Sequence, residues 1–357
     1  MMRARTGTAV LASAILALGA LTDLGNAQLQ IPPSLRPEEP KPAPPPKKPA
    51  KPPAAKPAAA KPAEAGKAAA PASGVEPDLA YGAFQRGYFL TAFGEATKRI
   101  NATGDRKAMT LLAELYANGL GVGRDDAKAA EWYKLAADRG DADAMFALAM
   151  FHLGGRGGRN DRNEAIRLLA AAAKLGNAPA AYDLGLLYLE GKQFPQDFPR
   201  AAELFRAAVQ AGSPEAMYAL ATLYKEGKGV AKDDVAAAKL LATASLSDNV
   251  DAEVEYGIAL FNGTGVARDQ AAAARILRRA ALRGSAIAQN RLAHIFAFGL
   301  GMTADPVAAI KWHTIAKAGG LGDTSLDEFV SKQSAEARAA GEAAAKPWLR
   351  VISMSRS

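Results

Sequence analysis

The chain has no cysteine. Disulfides, thiolate zinc sites and a cysteine nucleophile are therefore excluded, and burial alone must hold the fold. Histidine is scarce too: His152, His294 and His313 are the only three, and none has a metal-ligand neighbour at the right spacing. Long apolar runs are missing. The best is Ala9 to Leu21, 13 residues. As a helix it would span roughly 20 Å, short of the ~30 Å hydrocarbon core. The net charge of +8 lacks a focus: residues 1–30 hold +1, residues 31–78 hold +3 and the other 279 hold +4. A nucleic-acid binder would gather basic charge on one face beside stacking aromatics, so that class is set aside. Glycine-rich Gly154 to Gly158 has no Lys-Ser/Thr after it, so no phosphate loop and no cofactor is expected.

The start of the chain reads as an export signal. Arg3 and Arg5 precede the apolar stretch, and Gly25-Asn26-Ala27 places small residues at the −3 and −1 positions. Residues 1–27 are expected to be a signal peptide cut after Ala27, which leaves no stable membrane span and a periplasmic or secreted protein. Residues 28–78 form a linker rich in proline, alanine and lysine. Lys41, Lys47, Lys48, Lys51, Lys56, Lys61 and Lys67 are spread through it. Such a composition buries too little apolar surface to offset its ordering entropy, so disorder is expected. Fully extended, residues 32–77 would reach on the order of 140 Å. The segment serves as a spacer, or its lysines touch peptidoglycan or another anionic envelope polymer.

From there the sequence repeats. Alanine recurs every 36 residues at Ala108, Ala144, Ala180, Ala216, Ala252 and Ala288. Eleven positions later stand Gly119, Gly155, Gly191, Gly227, Gly263 and Gly299. Seventeen positions later stand Asp125, Asp161, Asp197, Asp233, Asp269 and Asp305. Two further alanine columns begin at Ala129 and Ala136 and are filled in all six units. The first alanine, with apolar residues four, five and eight later, forms one face of a helix A of about eleven residues. The glycine fits its C-cap, where a left-handed backbone excludes most side chains. The aspartate fits the N-cap of a helix B. Helix B carries the small alanines around a bulky residue: Trp132, Leu168, Leu204, Leu240, Ile276 and Trp312. Glycine closes helix B at Gly140, Gly176, Gly212, Gly284 and Gly320, with Asp248 in the remaining unit. Helices this short are marginal alone, so neighbouring units must stack. The expected fold is all-α: a right-handed solenoid of about six helix-turn-helix repeats over residues 108–324. A degenerate repeat at 79–107, with helices Tyr81 to Leu90 and Ala92 to Ile100, caps one end. Residues 325–357, with one helix from Ser325 to Trp348, cap the other.

The string Ala108-Met-Thr-Leu-Leu-Ala-Glu-Leu-Tyr116, Gly119-Leu-Gly-Val122, Asp125, Ala129-Ala-Glu-Trp-Tyr133 and Gly140 resembles the Sel1-like repeat, a relative of the tetratricopeptide repeats. The third unit departs from it, with Gln193-Phe194-Pro195 in place of the glycine-valine pair. The resemblance implies an adaptor that holds other proteins, often in the bacterial envelope. Some relatives of this kind restrain a membrane sensor kinase. It also implies that helix A lines a concave face. Three of its columns, two, six and nine past the anchor, would then face inward. In the middle units these are Phe146, Met150 and Leu153; Tyr182, Leu186 and Leu189; and Tyr218, Thr222 and Lys225. They are the candidate partner-binding residues, suited to a partner helix or extended peptide. No catalytic set is expected. The six aspartates are spaced as caps and cannot share a substrate, and His152 and His313 occupy columns held elsewhere by core aromatics.

Overall fold

The computed structural model describes residues 78–158, 160–192, 195–247 and 249–354; the expected signal peptide and almost all of the linker lie outside them. Among the described residues the regular structure is sixteen α-helices and one 3-10 turn, with no strand. Helices α1 (Leu79–Gln85) and α2 (Phe89–Thr103) come first. Six A–B pairs follow: α3 (Arg106–Asn118) with α4 (Asp126–Asp138), α5 (Ala142–Leu153) with α6 (Arg162–Lys174), and α7 (Ala178–Glu190) with α8 (Phe198–Gln210). The next are α9 (Pro214–Glu226) with α10 (Asp234–Ala244), α11 (Val250–Asn262) with α12 (Gln270–Leu282), and α13 (Ala286–Phe298) with α14 (Pro306–Ala318). Helices α15 (Thr324–Ser331) and α16 (Ala335–Met354) end the row. Helices α1 to α14 each pack on the next in chain order, and α16 returns onto α14. The core is a succession of apolar clusters along this row, the mark of a solenoid.

Local chemistry sets the punctuation. Asp125, Asp161, Asp197, Asp233, Asp269 and Asp305 each accept the backbone N–H three residues on, at 2.8–3.0 Å. Each cap contributes about 1 kcal/mol. The glycines that follow helix A have φ between 64° and 76°, a region costly for a side chain. The second unit differs, because α5 ends one residue early on Gly154 with φ −86°.

A second glycine in the A–B loop has a different reason. A Cβ on Gly265 would lie 1.9 Å from the Asp234 carbonyl oxygen, and one on Gly229 would lie 2.3 Å from the Phe198 carbonyl carbon. Gly121 and Gly301 meet Phe89 and Gln270 in the same way. Each loop therefore rests on the first turn of the preceding unit's helix B, and only glycine permits that approach. The third unit has Gln193 there, which lies outside the described residues.

Packing explains the alanine columns. All six anchor alanines and both alanine columns of helix B are at most 3% exposed. Between the helix B alanines, the position one later than expected is the more uniformly deep: Tyr133, Leu169, Phe205, Leu241, Leu277 and His313 are all buried, whereas in the expected column Leu168 and Trp312 are buried and Trp132, Leu204, Leu240 and Ile276 only half-buried. The expected column lies about 100° further round the helix, toward its edge. Where this deep position holds Phe205 or Leu277, helix A answers with Gly185 or Gly257 in a column otherwise alanine.

Other expectations need correction. Helix A runs 12 or 13 residues, because it begins two residues before the anchor alanine, directly after a cap three residues before it. The first two helices are Leu79–Gln85 and Phe89–Thr103, divided at Gly87 with φ 79°. The terminal helix is two helices, broken after Ser331, and Gly341 and Ala345 of α16 are buried. A Cβ on Gly341 would come 2.5 Å from Ile310 on α14. The joint between the fourth and fifth units is polar. Glu253, 2% exposed, takes the place of an apolar residue and binds Arg279 and Arg283 at 2.8 Å each. Arg279 also donates to the Ser245 carbonyl at 2.7 Å, at the end of α10, which at 11 residues is the shortest helix B.

Candidate functional site: the A-helix face

On each helix A, the anchor and the positions four, five and seven later turn toward helix B. The positions two, three, six and nine later turn the other way. On that side residues from different units converge. The phenol of Tyr182 in the third unit lies within electrostatic reach of Glu215 in the fourth and Asp251 in the fifth. The phenol of Tyr218 lies within reach of Tyr182, Asp251 and Glu255. Residues of three successive units thus share this side of the row, called the inner face below.

The nine expected partner-binding residues fall on this face but differ in access. Phe146, Met150 and Leu153 of α5 are half-buried, as are Leu189 of α7 and Tyr218 and Thr222 of α9. Lys225 is exposed. Tyr182 and Leu186 are core residues, 8% and 2% exposed. The Tyr182 ring packs 5.7 Å from that of Phe205, and Leu186 joins the same cluster. Phe205 belongs to helix B of the same unit, and the cluster takes in Ala219 and Leu223 of the next, so α8 and α9 cover these two side chains.

The inner face also carries charge that the apolar columns did not reveal. Three positions past the anchor, where other units have Leu111, Ala147 and Ala219, stand Asp183, Glu255 and Arg291. All three are buried. Asp183 is 1% exposed and neither carboxylate oxygen has a hydrogen-bond partner. Burial pushes its carboxyl up to about 7. Glu255 forms an ion pair with Lys225. Asp251 is exposed to solvent, yet the surrounding protein and then Glu255 raise its pKa above the ordinary carboxylate value. Glu114 on α3 is raised by burial as well. The signal for these residues was present in the sequence as a charged break in an apolar column.

The inner face closes at the sixth unit. Helix α15 crosses it, and Asn290, His294 and Ala297 are buried there. His294 Nε2 pairs with Asp323 at 2.7 Å, and Asn290 donates to the same carboxylate at 3.0 Å. Asp323 also caps α15 through the N–H groups of Ser325 and Leu326. Desolvation opposes the charge on Asp323, but these donors hold its carboxyl well below the usual range. His313 pairs with Asp327 at 2.8 Å, and Lys317 binds the same oxygen. Phe329 closes on Phe298 with ring centroids 5.9 Å apart. His152 and His313 are buried in the packing positions expected of them. Among the described residues no three acids or histidines are grouped to hold a metal ion, and no helix is long and apolar enough to cross a membrane.

An all-α row of stacked helix pairs with one long, partly apolar inner face defines a solenoid repeat protein. The model of the Sel1 repeat matches residues 106–141, 142–177, 178–213, 214–249, 250–285 and 286–321. The chain belongs to the Sel1 repeat family. Sel1 repeat proteins are generally protein–protein interaction scaffolds. Two solved structures share the fold. One is c5321, a protective antigen of uropathogenic Escherichia coli strains, at 25% identity and TM-score 0.52. The match covers 73% of this chain and 64% of that one, so the chain spans less than two thirds of the length of that relative. The other is a Sel1 repeat protein from Oxalobacter formigenes, at 25% identity and TM-score 0.56, covering 68% of this chain and 97% of that one. The search of curated proteins found no match.

Proposed function

We propose that this protein is an exported, non-enzymatic scaffold of the cell envelope. It holds a helix or extended segment of a partner protein on its inner face and so regulates an envelope protein such as a sensor kinase. The observation that supports it is the row of half-buried Phe146, Met150, Leu153, Leu189 and Tyr218 along one side of the stacked A helices. Half-buried apolar side chains gain by burial, at about 25 cal/mol per Å² removed from water. They also lie on a rigid frame, so little ordering entropy opposes binding. Export rests on Arg3, Arg5, the apolar stretch and Gly25-Asn26-Ala27.

The test is photocrosslinking in living cells. A photoreactive residue is placed at Phe146, Met150 or Tyr218, with a control at Leu246, which is 80% exposed. Discrete adducts with one protein are expected from the first three positions and not from the control. No adduct, or the same adducts from Leu246, would overturn the inner-face reading. Fractionation tests export separately: the mature chain should begin at Gln28 and be released with the periplasm. A chain that keeps Met1 and stays in the cytoplasm would refute it.

A further inference from the structure

The positive charge has no focus in the sequence, but the fold gives it one. On each helix B the positions 23, 26, 27 and 30 past the anchor lie within about 100° of one another, on the side opposite the buried alanines. In the fourth, fifth and sixth units this outer arc holds Lys239, Arg275, Arg278, Arg279 and Lys311, and no acid. Helices α12 and α14 contain no acid at all, and α10 contains only Asp234, in its first turn beside Lys232. The A helices α9 and α11 carry five acids against one lysine. Charge in the fourth and fifth units is therefore divided, negative on helix A and positive on helix B. Among the described residues Lys239, Arg275 and Arg278 are exposed and make no ion pair.

The same arc holds two exposed leucines. Leu246 and Leu282 stand one period apart at the end of helix B, 80% and 52% exposed. Arg279 ties these two ends together, since it donates to the Ser245 carbonyl at 2.7 Å and binds the buried Glu253 at 2.8 Å. Leu246, next in the chain to Ser245, thus adjoins the cations of α12. Asp248, the acid nearest Leu246 in sequence, lies outside the described residues and is one charge against five.

We propose that the outer arc of the fourth and fifth units docks the protein on an anionic phospholipid bilayer, with Leu246 and Leu282 entering the headgroup boundary and Lys239, Arg275 and Arg278 among the phosphates. Two features select this occupant. A soluble polyanion would neutralise the cations but leave both leucines in water. At a bilayer the leucines lose exposed apolar surface while the cations meet negative charge. Single-stranded nucleic acid is held by aromatic stacking, and no aromatic side chain stands in this arc. Attachment without a spanning helix takes two signals acting together, and the arc carries both. Orientation follows from the divided charge. The acidic A helices turn away from lipid phosphates that would repel them, so the inner face stays open to a partner.

Flotation of the purified mature chain with vesicles tests this, using phosphatidylcholine with about 30% phosphatidylglycerol against phosphatidylcholine alone. Binding is expected only to the charged vesicles. R275Q/R278Q should weaken it about thirtyfold, since each cation near an anionic surface strengthens binding about fivefold. L246S/L282S keeps every charge and should weaken it about tenfold or more. These side chains are all on the surface, and circular dichroism verifies that the variants fold. An environment-sensitive fluorophore on L282C should shift to the blue with charged vesicles, whereas one on N262C, at the exposed end of α11, should not. The linker lysines carry charge too, so a chain with all seven changed to glutamine is run beside the others and should keep both variant effects. Absence of binding to charged vesicles at low salt would overturn the proposal. So would binding that survives R275Q/R278Q and disappears in the seven-glutamine chain, because the linker would then be the contact. Binding unchanged by L246S/L282S would mean a site for any polyanion, and the bilayer assignment would fail. Partner crosslinking at Phe146 or Tyr218 does not depend on lipid, so the scaffold reading and the docking surface can fail separately.

Discussion

Replacing Gly185 by alanine should destabilise the protein, although alanine is the better helix former. Helix propensity alone favours the change by about 1 kcal/mol. The surroundings oppose it. The new Cβ would lie 2.6 Å from Cε1 and 2.9 Å from Cδ1 of Phe205, a ring with 0% exposure. Relief needs a shift of nearly 1 Å in a ring that also packs on Tyr182. Overpacking of this kind costs about 1–3 kcal/mol; a ring with no free space puts it near the upper end, so the net loss should be up to about 2 kcal/mol. For an array of this size that is a fall in Tm of a few degrees, roughly 2–4 °C per kcal/mol. The second unit supplies the control. There Ala149 occupies the Gly185 position and Leu169 the Phe205 position, both fully buried. The double variant G185A/F205L recreates that pair. It should recover most of the stability lost in G185A, giving a favourable coupling of about 1 kcal/mol or more. Thermal unfolding followed by circular dichroism measures all four corners of the cycle. If G185A raises Tm, or if the two changes are additive, glycine at this site has nothing to do with the ring beneath it and the packing argument is wrong.

Three further outcomes follow from the same structure. Asp183 has a folded-state pKa raised from 3.8 to about 7, so its ionisation opposes folding. The cost is absent below about pH 4, grows as pH rises toward 7 and is then complete, with an upper bound of roughly 4 kcal/mol. The urea midpoint of D183N relative to wild type should therefore climb between pH 4.5 and pH 8, and a flat difference would contradict the buried, unpaired carboxylate. G265A should lose about 2–4 kcal/mol, because backbone strain adds to a Cβ contact 1.9 Å from the Asp234 carbonyl oxygen. G284A shares a positive φ but meets open space, so it should lose only about 1 kcal/mol, and equal losses would rule out the stacking contact. D323A removes the α15 cap and the partner of His294, so amide exchange at Ser325 and Leu326 should quicken at least tenfold. Unchanged protection there would mean that α15 is held by Phe329 and Leu326 alone.

Much of the architecture is readable residue by residue, because its causes are local. A left-handed backbone selects glycine at Gly119, and orphan amides select aspartate at Asp125, wherever those residues later sit in space. The same strict period placed the anchor alanines in the core and kept the six aspartates from being mistaken for a catalytic set. Helix ends were read less well. The break after Ser331 was missed although Ser334, whose Oγ accepts the Ala337 N–H at 3.2 Å, marks the start of α16 locally.

The register, the caps and the side of each helix that faces inward were settled by the amino-acid order, since each needs only a neighbour within one turn. Access was settled by the assembled row. Tyr182 and Phe146 share one column, yet the first is core and the second half open. The difference lies in what covers them: Tyr182 packs on the Phe205 ring, and its cluster takes in Ala219 and Leu223 of the next unit. That contact joins three helices of two units, so no single repeat encodes it.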